Sequence, residues 1–334
     1  MFVRIVVIIM TVKIEQYIRE RVFGLGFGAV GFARVEPSRS VEVFQQWLDK
    51  GYCAEMHYLK RHAALRSDPR NLAPQATLVP QADPPARRTL AWQAKSIIVV
   101  AAKYPSEASN CPVSNYARGS DYHDVLRAKL EQLSAALDEK TGRSCGGRIC
   151  VDSAPLPERE WAVRAGIGWI GRQGSVVNPE LGCCFFIGEL LVNIDLEPSA
   201  PMANQCQDCR LCVDACPTAA IMADNLIDAR RCISYLTVEH KGEINPEIAS
   251  CFGGSVFGCD RCTSVCPLNR PYKTPIMPEF DVSLATVLSL EVLGRLDRQG
   301  FKKMFAKTSV NRIGFERFQR NVKTVLENQK KGKM

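Results

Sequence analysis

The sequence predicts an α+β protein with a mixed domain over residues 1–197, a cysteine-rich domain over 198–275 and a basic helical segment over 276–334. Three observations lead to this prediction. A continuous apolar run at residues 96–102 is typical of a buried strand, and residues 185–193 are mostly apolar and read as another strand. Apolar residues recur at helical spacing between residues 125 and 137. Most of the 15 cysteines lie in one stretch between residues 206 and 266.

The remaining elements follow from the same periodicities. Helices are expected at residues 12–22, 41–50, 125–137, 158–165, 283–296 and 311–328. Strands are expected at residues 29–35, 96–102, 148–152 and 185–193. The strand at 148–152 ends on Asp152, directly before a Pro-containing loop. Carboxylates in this position often face a functional site, and as often they cap the following helix.

Eight cysteines stand at the spacing of iron–sulfur ligands. They are Cys206, Cys209, Cys212, Cys216, Cys232, Cys259, Cys262 and Cys266. The first four form a C-x2-C-x2-C-x3-C-P run, the signature of bacterial ferredoxins, in which the fourth cysteine serves the other cluster. Three thiolates on one tight loop can hold three corners of a cubane cluster, so the fourth corner needs a ligand from elsewhere in the chain.

Crossed ligands of this kind predict two [4Fe-4S] clusters. Cluster 1 is assigned Cys206, Cys209, Cys212 and Cys266. Cluster 2 is assigned Cys216, Cys232, Cys259 and Cys262. Zinc and disulfides are the alternatives, but zinc ribbons use pairs of C-x2-C without the third cysteine or the Cys-Pro ending. Two adjacent clusters can conduct electrons, but the cysteines alone do not identify the electron acceptor.

The basic charge is concentrated at one end of the chain. The net charge is +8, and residues 301–334 contain ten Lys or Arg and two Asp or Glu, so the rest is neutral. A surface that docks polyanions has this composition, and so does a solubilising tail. In the helix at 311–328 the apolar residues form one stripe, which leaves Arg317, Arg320 and Lys323 free to face outward.

The sequence favours a cytoplasmic protein. The apolar residues 1–10 are too short to cross a bilayer and lack a signal-peptide cleavage site, and translation could start at Met1 or at Met10. No later stretch is long and apolar enough for a membrane helix. Clusters that are sensitive to oxygen also favour a reducing compartment, so we expect no membrane partner.

Several further short motifs occur along the chain in an order that matches a known family. They are Leu25–Gly31, Glu55–Leu59, Arg66–Arg70, Tyr116–His123, Val151–Pro155, Arg164–Gly171, Asn178-Pro179, Asp228–His240 and Phe257–Cys262. Together with the cysteine runs they resemble the epoxyqueuosine reductases, a family of tRNA-modification enzymes. The resemblance covers nearly the whole chain from about Val12. The block from Arg230 to His240, joined to both cysteine runs, is its most specific part.

The resemblance implies both a fold and a reaction. The fold is a nitroreductase-like α/β domain that holds cobalamin, with the ferredoxin-type domain beside it. The reaction is reduction of the epoxide of epoxyqueuosine at the tRNA wobble position, which gives queuosine. Electrons from an unidentified low-potential donor would pass through both clusters to cobalamin. A monomer is expected, because the family is usually monomeric.

The resemblance also implies roles for single residues. Asp152 matches the proton donor of the family, and its pKa must be raised for that task near neutral pH, which packing against the corrin would do. The expected cobalamin contacts are Arg66, Tyr116, Asp152, Gln173, Ser175, Asn178 and Ser234. The loop with Gln173 and Ser175 usually carries a different pair in the family. The candidate tRNA contacts are Glu239, His240, Arg312, Arg317, Arg320 and Lys323, of which Glu239 and His240 could instead face the corrin.

Three formal motif matches are rejected. Two G-x-G-x-x-G patterns, at residues 26–31 and 166–171, each follow a predicted helix, whereas a dinucleotide site needs a preceding strand. Asp121-x-His123 begins like a cobalamin motif, but Leu126 stands at its glycine position. We therefore do not expect His123 to ligate cobalt, and we place it at the surface or behind the residues that contact the cofactor.

Two other classes of protein share some of these features. Reductive dehalogenases also combine cobalamin with two clusters, but they typically carry an export signal, and a basic tail has no purpose for a small organohalide. A plain ferredoxin-type electron carrier would leave Asp152 and the loop at 166–178 without a role. The sequence departs from the family at residues 75–93 and at Gly51–Glu55, and it ends soon after Asn321, without the helical-repeat extension that some members carry.

Overall fold

The structure is a computed structural model of the chain. It describes residues 14–72, 93–106, 110–222, 225–269, 275–281 and 288–332. The alternative start sites, nearly all of the divergent loop at 75–93 and the beginning of the helix expected at 283–296 lie outside the described residues.

A four-stranded antiparallel sheet forms the centre of the first part of the chain. Its strands are β1 (Ala29–Arg34), β2 (Ser96–Lys103), β3 (Arg148–Cys150) and β6 (Phe185–Val192), in the order β1-β2-β6-β3. Every residue of β2 is buried, as its continuous apolar run predicts. A separate small hairpin consists of β4 (Trp169–Ile170) and β5 (Val176–Val177).

Helices cover both faces of this sheet. On one face, α1 (14–24) and α5 (Tyr122–Thr141) pack their apolar residues against β1, β2 and β6. On the other face lies α6 (Glu158–Arg164), with Trp161 and Ala162 fully buried. A Cβ atom on Gly31 would stand 1.8 Å from the carbonyl oxygen of Ala165, so this glycine lets β1 approach the end of α6. The mixed helix and sheet architecture predicted from the sequence is confirmed.

Short helices frame the remainder of the molecule. Before β2 the chain forms α2 (Val41–Asp49), α3 (Tyr58–Arg61) and α4 (Ala63–Arg66). The cysteine-rich part contains α7 (Leu211–Asp214), α8 (Ile233–Val238), α9 (Pro246–Ala249) and α10 (Arg261–Ser264). Helices α7 and α10 lie at equivalent positions within the two cysteine runs, and the two helices are in contact with each other. Among the residues described, no helix is long and apolar enough to cross a membrane.

The C-terminal helices share a hydrophobic core with the cysteine-rich part. They are α11 (Leu290–Gly294), α12 (Arg298–Phe305) and α13 (Gly314–Lys330). Phe318, Val322 and Val325 of α13 lie in one cluster with Ile233 and Leu236 of α8. Hydrophobic contacts thus cross the boundary expected at residue 276, and the division into three segments stays a prediction. Helix α12 was not predicted.

Candidate active site and cluster ligands

Asp152 lies in the wall of a cleft, two residues beyond the end of β3. The cleft has a volume of about 470 Å³, and Tyr58, Arg66, Asp152 and Glu158 are among the residues that line it. The side chain of Asp152 is 61% exposed, because it borders the cleft and not the core. Its φ angle is +56°, a left-handed conformation that residues with a Cβ atom rarely adopt. Such a conformation needs support from its surroundings.

Two side chains from the start of α5 bind the carboxylate of Asp152. The hydroxyl of Tyr122 donates to Oδ2 at 2.9 Å, and Nε2 of His123 lies 3.2 Å from the same oxygen. The other ring nitrogen of His123 lies 2.6 Å from Oδ1 of Asp121. Nε of Arg312 donates to Oδ2 of Asp121 at 2.9 Å. A continuous chain of hydrogen bonds therefore runs from Arg312 through Asp121 and His123 to Asp152.

The charges along this chain alternate in sign. Burial lowers the pKa of His123, but hydrogen bonds to Asp121 and Asp152 outweigh it and raise the pKa to about 9. Burial raises the pKa of Asp121, but its hydrogen bonds to His123 and Arg312 lower it to about 2. His123 is therefore an imidazolium between two carboxylates at neutral pH. It is buried, so a surface location is excluded, and the sequence reasoning missed its contact with Asp152.

The pKa of Asp152 is lowered in this structure, not raised. Desolvation by the walls of the cleft raises it, but the hydrogen bonds from His123 and Tyr122, with the positive charges of His123 and Arg312, outweigh that effect. The protein's own groups thus favour the ionised carboxylate. The raised pKa expected from the sequence would have to come from the corrin, as that expectation assumed.

Two further carboxyl groups lie behind Asp152, and the sequence reasoning did not identify either. Glu158, the first residue of α6, accepts a hydrogen bond from the backbone N–H of Asp152. Burial, followed by the charge of Asp152, raises the pKa of Glu158 to about 8. Glu189 of β6 is fully buried, and among the described residues neither carboxyl oxygen has a hydrogen-bond partner. Burial raises its pKa well above the usual range, so it is a neutral acid.

Two of the residues predicted to contact cobalamin have properties that suit a ligand with many amide groups. Within the described part of the chain, buried Nε of Arg66 and buried Nε2 of Gln173 have no hydrogen-bond partner. Buried donors without a partner are costly, so a ligand carbonyl would stabilise them. Arg66 and Gln173 therefore fit the cofactor that the family implies. The ring of Tyr116 lies 6.4 Å from that of Tyr122; burial raises the pKa of Tyr116, and the charges of Asp260 and Asp152 add to the rise.

Three other predicted contacts are placed less clearly. The side chain of Asn178 holds a turn, because it donates to the carbonyl of Ile167 and accepts from the backbone N–H groups of Glu180 and Leu181. Ser175 lies half-buried in the loop between β4 and β5, and Ser234 lies half-buried in α8. The structure does not test the predicted contacts of these residues with cobalamin.

The cysteine-rich part lines the cleft with Asn225, Leu226 and Ile227, and the charge of its Glu239 acts on Tyr58. Burial raises the pKa of Tyr58 to about 12, and the charges of Glu239 and Asp152 add to this rise. Glu239 and Asp152 therefore face the same tyrosine from different parts of the chain. The ring nitrogens of His240 lie 3.1 Å from Oε2 of Glu55 and 2.9 Å from the carbonyl oxygen of Glu243.

The expectation that Arg317 and Arg320 project freely outward is wrong. Arg317 donates to the carbonyl oxygens of Val238 and Glu239, at 3.1 and 3.2 Å. The guanidinium of Arg320 binds the carbonyl oxygens of Leu236, His240 and Gly242, at 2.7 to 3.0 Å. Both arginines therefore satisfy backbone acceptors at and beyond the C-terminal end of α8, where cations are favourable.

Two other basic residues are exposed. Arg312 is exposed and pairs with Asp121 beside the cleft. Lys323 is also exposed. Contacts between tRNA and any of the six residues proposed for it stay a prediction.

Several of the predicted cluster ligands lie close to one another. Burial raises the pKa of Cys212, and Cys266 and Cys206 add to the rise. Burial raises the pKa of Cys232, and Cys259 and Cys216 add to it. Cys262 lies near Cys259 and Cys232, and also near Cys183 and Cys212. The crossed assignment of the eight ligands stays a prediction.

Within the described ranges, no group of three His, Cys, Asp or Glu side chains is close enough together to hold one metal ion. The indole N–H of Trp169, in β4, donates to Sγ of Cys206 at 3.3 Å. The first part of the chain thus contacts a predicted ligand of cluster 1.

Comparison with known proteins agrees with this arrangement. Residues 205–269 match the family model described as "4Fe-4S double cluster binding domain", and residues 86–153 match "Epoxyqueuosine reductase QueG, DUF1730". The epoxyqueuosine reductase of Alicycliphilus denitrificans is 39% identical over 322 residues, which are 95% of this chain and 86% of the relative.

Solved structures give the same result. A crystal structure of epoxyqueuosine reductase with an epoxyqueuosine-modified tRNA-Tyr stem loop has a TM-score of 0.82 and 28% identity, and the match covers 95% of this chain and 82% of that one. The same values hold for the Bacillus subtilis enzyme with its catalytic aspartate loop swung out of the active site. The double-cluster domain predicted from the cysteines is confirmed, and the chain belongs to the epoxyqueuosine reductase family.

Proposed function

We propose that this protein reduces the epoxide of epoxyqueuosine in tRNA and thereby forms queuosine, the last step of queuosine biosynthesis. One observation carries the proposal. Asp152, held by Tyr122 and His123, faces a cleft that also contains the predicted cofactor contact Arg66. Asn225, Leu226 and Ile227 line the same cleft from within the cysteine-rich part. The part of the chain that would carry the clusters thus borders the cleft of the proposed proton donor.

The reaction balances with the parts that the chain provides. Both C–O bonds of the epoxide break, a C=C double bond forms, and the oxygen leaves as water after uptake of two electrons and two protons. Cobalamin, when bound, supplies the low-potential reduction at the substrate carbon. The two clusters pass the electrons one at a time from an external low-potential donor.

Asp152 delivers a proton to the departing oxygen from its carboxyl group. His123 carries a proton at Nε2, 3.2 Å from Oδ2 of Asp152, and can return a proton there after each turnover. Tyr122 fixes the orientation of the same oxygen through its hydroxyl. Asp121 keeps His123 in its charged form and orients its ring, and Arg312 holds the carboxylate of Asp121 in place. Each of these roles concerns the position or the protonation of Asp152.

The cofactor site is proposed from the buried donors. Arg66 and Gln173 would donate to amide carbonyls at the rim of the corrin, and Tyr116, Ser175 and Ser234 would complete the contacts. The α/β part would have the nitroreductase-like arrangement that the family uses for cobalamin. The loop of Asp152 would correspond to the catalytic loop that is swung out in the Bacillus subtilis enzyme. A mobile catalytic loop would let the cofactor and the substrate enter in turn.

The partners follow from the same proposal. The substrate is a tRNA anticodon stem-loop, because a related enzyme has been crystallised with one. Lys323 and Arg312 are exposed, and we propose that they contact phosphates of the tRNA. A tRNA substrate and two clusters favour the cytoplasm, and we propose that the enzyme acts there as a monomer.

Mass spectrometry of nucleosides tests the proposal. The reconstituted protein is incubated anaerobically with epoxyqueuosine-containing tRNA, cobalamin and a strong reductant, and the tRNA is then digested. We expect epoxyqueuosine to lose one oxygen and appear as queuosine. Unchanged epoxyqueuosine, with both clusters and cobalamin present on the protein, would reject the proposed reaction.

A further inference from the structure

We propose that Glu158 is the residue that positions Asp152, by accepting the backbone N–H of Asp152 and holding the catalytic loop against α6. The inference rests on the proposed function, because it assumes that Asp152 is the proton donor. It goes beyond that function, since it proposes that α6 fixes the position of Asp152.

The backbone of Asp152 needs such support. Strand β3 ends at Cys150, so the ladder of hydrogen bonds to β6 stops two residues earlier. Asp152 then adopts a φ of +56°, which a residue with a Cβ atom adopts only when its surroundings impose it. Its N–H points at Oε1 of Glu158. This hydrogen bond replaces the missing ladder and offsets part of the unfavourable conformation.

Glu158 is well suited to hold the loop, because its own helix is rigidly packed. Trp161 and Ala162 of α6 are fully buried, and the close approach at Gly31 fixes the end of the helix. Only five residues separate Asp152 from Glu158, and two of them are Pro155 and Pro157. A short, proline-containing loop transmits the position of α6 directly to the catalytic carboxylate.

The hydrogen bond does not require a negative charge on Glu158. Asp152 already carries one nearby, and burial raises the pKa of Glu158 to about 8, so the neutral acid dominates at pH 7. A neutral carboxyl accepts through its carbonyl oxygen, and the side-chain amide of glutamine presents the same oxygen at the same position. Leucine has a similar length and no acceptor. Comparing the two substitutions therefore distinguishes the effect of losing the hydrogen bond from the effect of changing the volume of the side chain.

The test compares Glu158→Gln with Glu158→Leu in the reconstituted holoenzyme. We expect Glu158→Leu to lower kcat by about tenfold or more at unchanged KM, iron content and bound cobalamin, because the donor is displaced. Hydrogen exchange of the peptide covering residues 151–157 should become faster in this variant. Glu158→Gln should keep the kcat and the slow exchange of the wild type.

Two results would overturn the inference. One is a Glu158→Leu enzyme with the kcat and exchange of the wild type; the other is a Glu158→Gln enzyme as impaired as Glu158→Leu. If Glu158→Leu loses its cofactors, Glu158→Asp, which shortens the reach by one methylene, replaces it with the same expected loss of kcat. A wild-type protein inactive on epoxyqueuosine tRNA would instead reject the proposed function, and the exchange comparison would still decide whether Glu158 holds the loop.

Discussion

Nε2 of His123 lies 3.2 Å from Oδ2 of Asp152, although the two residues come from motifs that are separate in the sequence. Strand β3 delivers Asp152 to the cleft, and the first turn of α5 delivers His123. Asp121 accepts the backbone N–H of His123 as the N-cap of α5 and also binds its ring. One residue thus starts the helix and orients the imidazolium beside the catalytic carboxylate.

Protonation of His123 should stabilise the folded protein in a pH-dependent way. The pKa of His123 rises from 6.5 in the unfolded chain to about 9 in the folded one. Its stabilising effect is therefore fully present below about pH 6.5 and is lost as the pH rises through about 9. We expect the stability difference between wild type and His123→Gln to shrink over this range by up to about 3 kcal/mol. Anaerobic urea unfolding at pH 6 and pH 10 measures it; a difference independent of pH would contradict the assignment.

Replacing Cys232 by Ala should remove one cluster and leave the other. The crossed assignment places Cys232 with Cys216, Cys259 and Cys262, and the structure brings these thiols together. Iron analysis of the reconstituted Cys232→Ala protein should fall from about eight to about four atoms per chain. Cys251, a half-buried free cysteine outside both groups, offers the matched control, since Cys251→Ala should keep all the iron. Full iron content in Cys232→Ala would mean that the ligands are paired differently.

The sequence could predict those parts of the molecule that local patterns determine. The central strands follow from continuous apolar runs, because a strand buried on both faces has no polar side. The cluster module follows from cysteine spacing, because the ligands of one loop are neighbours in sequence. The short helices α3, α4 and α7 to α10 were missed, because four to six residues carry almost no periodic signal. Helix α12, with eight residues, was also missed.

The sequence could not predict contacts between distant segments. Helical periodicity places Arg320 on the polar side of α13, but only the fold shows that this side meets the carbonyl groups beyond α8. Likewise, Glu189 sits in an apolar run with no local sign of its burial next to an acidic cluster. The link from Asp121 to Asp152 depends on how α5 packs on the sheet, and no spacing encodes it.

Trp169 should tune the reduction potential of one cluster. Its indole N–H donates to Sγ of Cys206, and hydrogen bonds to cluster sulfurs stabilise the reduced state by offsetting its added charge. Trp169→Phe keeps the buried aromatic ring and removes the donor. An EPR redox titration should show one of the two midpoint potentials shifted to a more negative value, at unchanged iron content. Two unshifted potentials, or two shifted equally, would speak against this contact.

Arg320 and Lys323 should have separable effects. Arg320→Ala leaves three backbone carbonyls without a donor and should lower the stability by about 1 to 3 kcal/mol. Lys323→Ala should leave the stability unchanged, because the side chain is exposed. It should reduce the slope of the logarithm of the tRNA binding constant against the logarithm of the salt concentration by about one. Thermal unfolding and binding titrations at several salt concentrations measure the two effects. If Lys323→Ala binds tRNA with an unchanged slope, Lys323 does not contact phosphate.

Asp152→Asn tests the central claim most directly, because asparagine keeps the size of the side chain and cannot donate a carboxyl proton. The variant should retain both clusters and bound cobalamin, as shown by iron analysis and visible absorption. In a single-turnover incubation with epoxyqueuosine-containing tRNA, mass spectrometry should find the modified nucleoside with its epoxide oxygen still present, while the wild type removes it. Queuosine formed by Asp152→Asn at the rate of the wild type would contradict the role of Asp152 as proton donor.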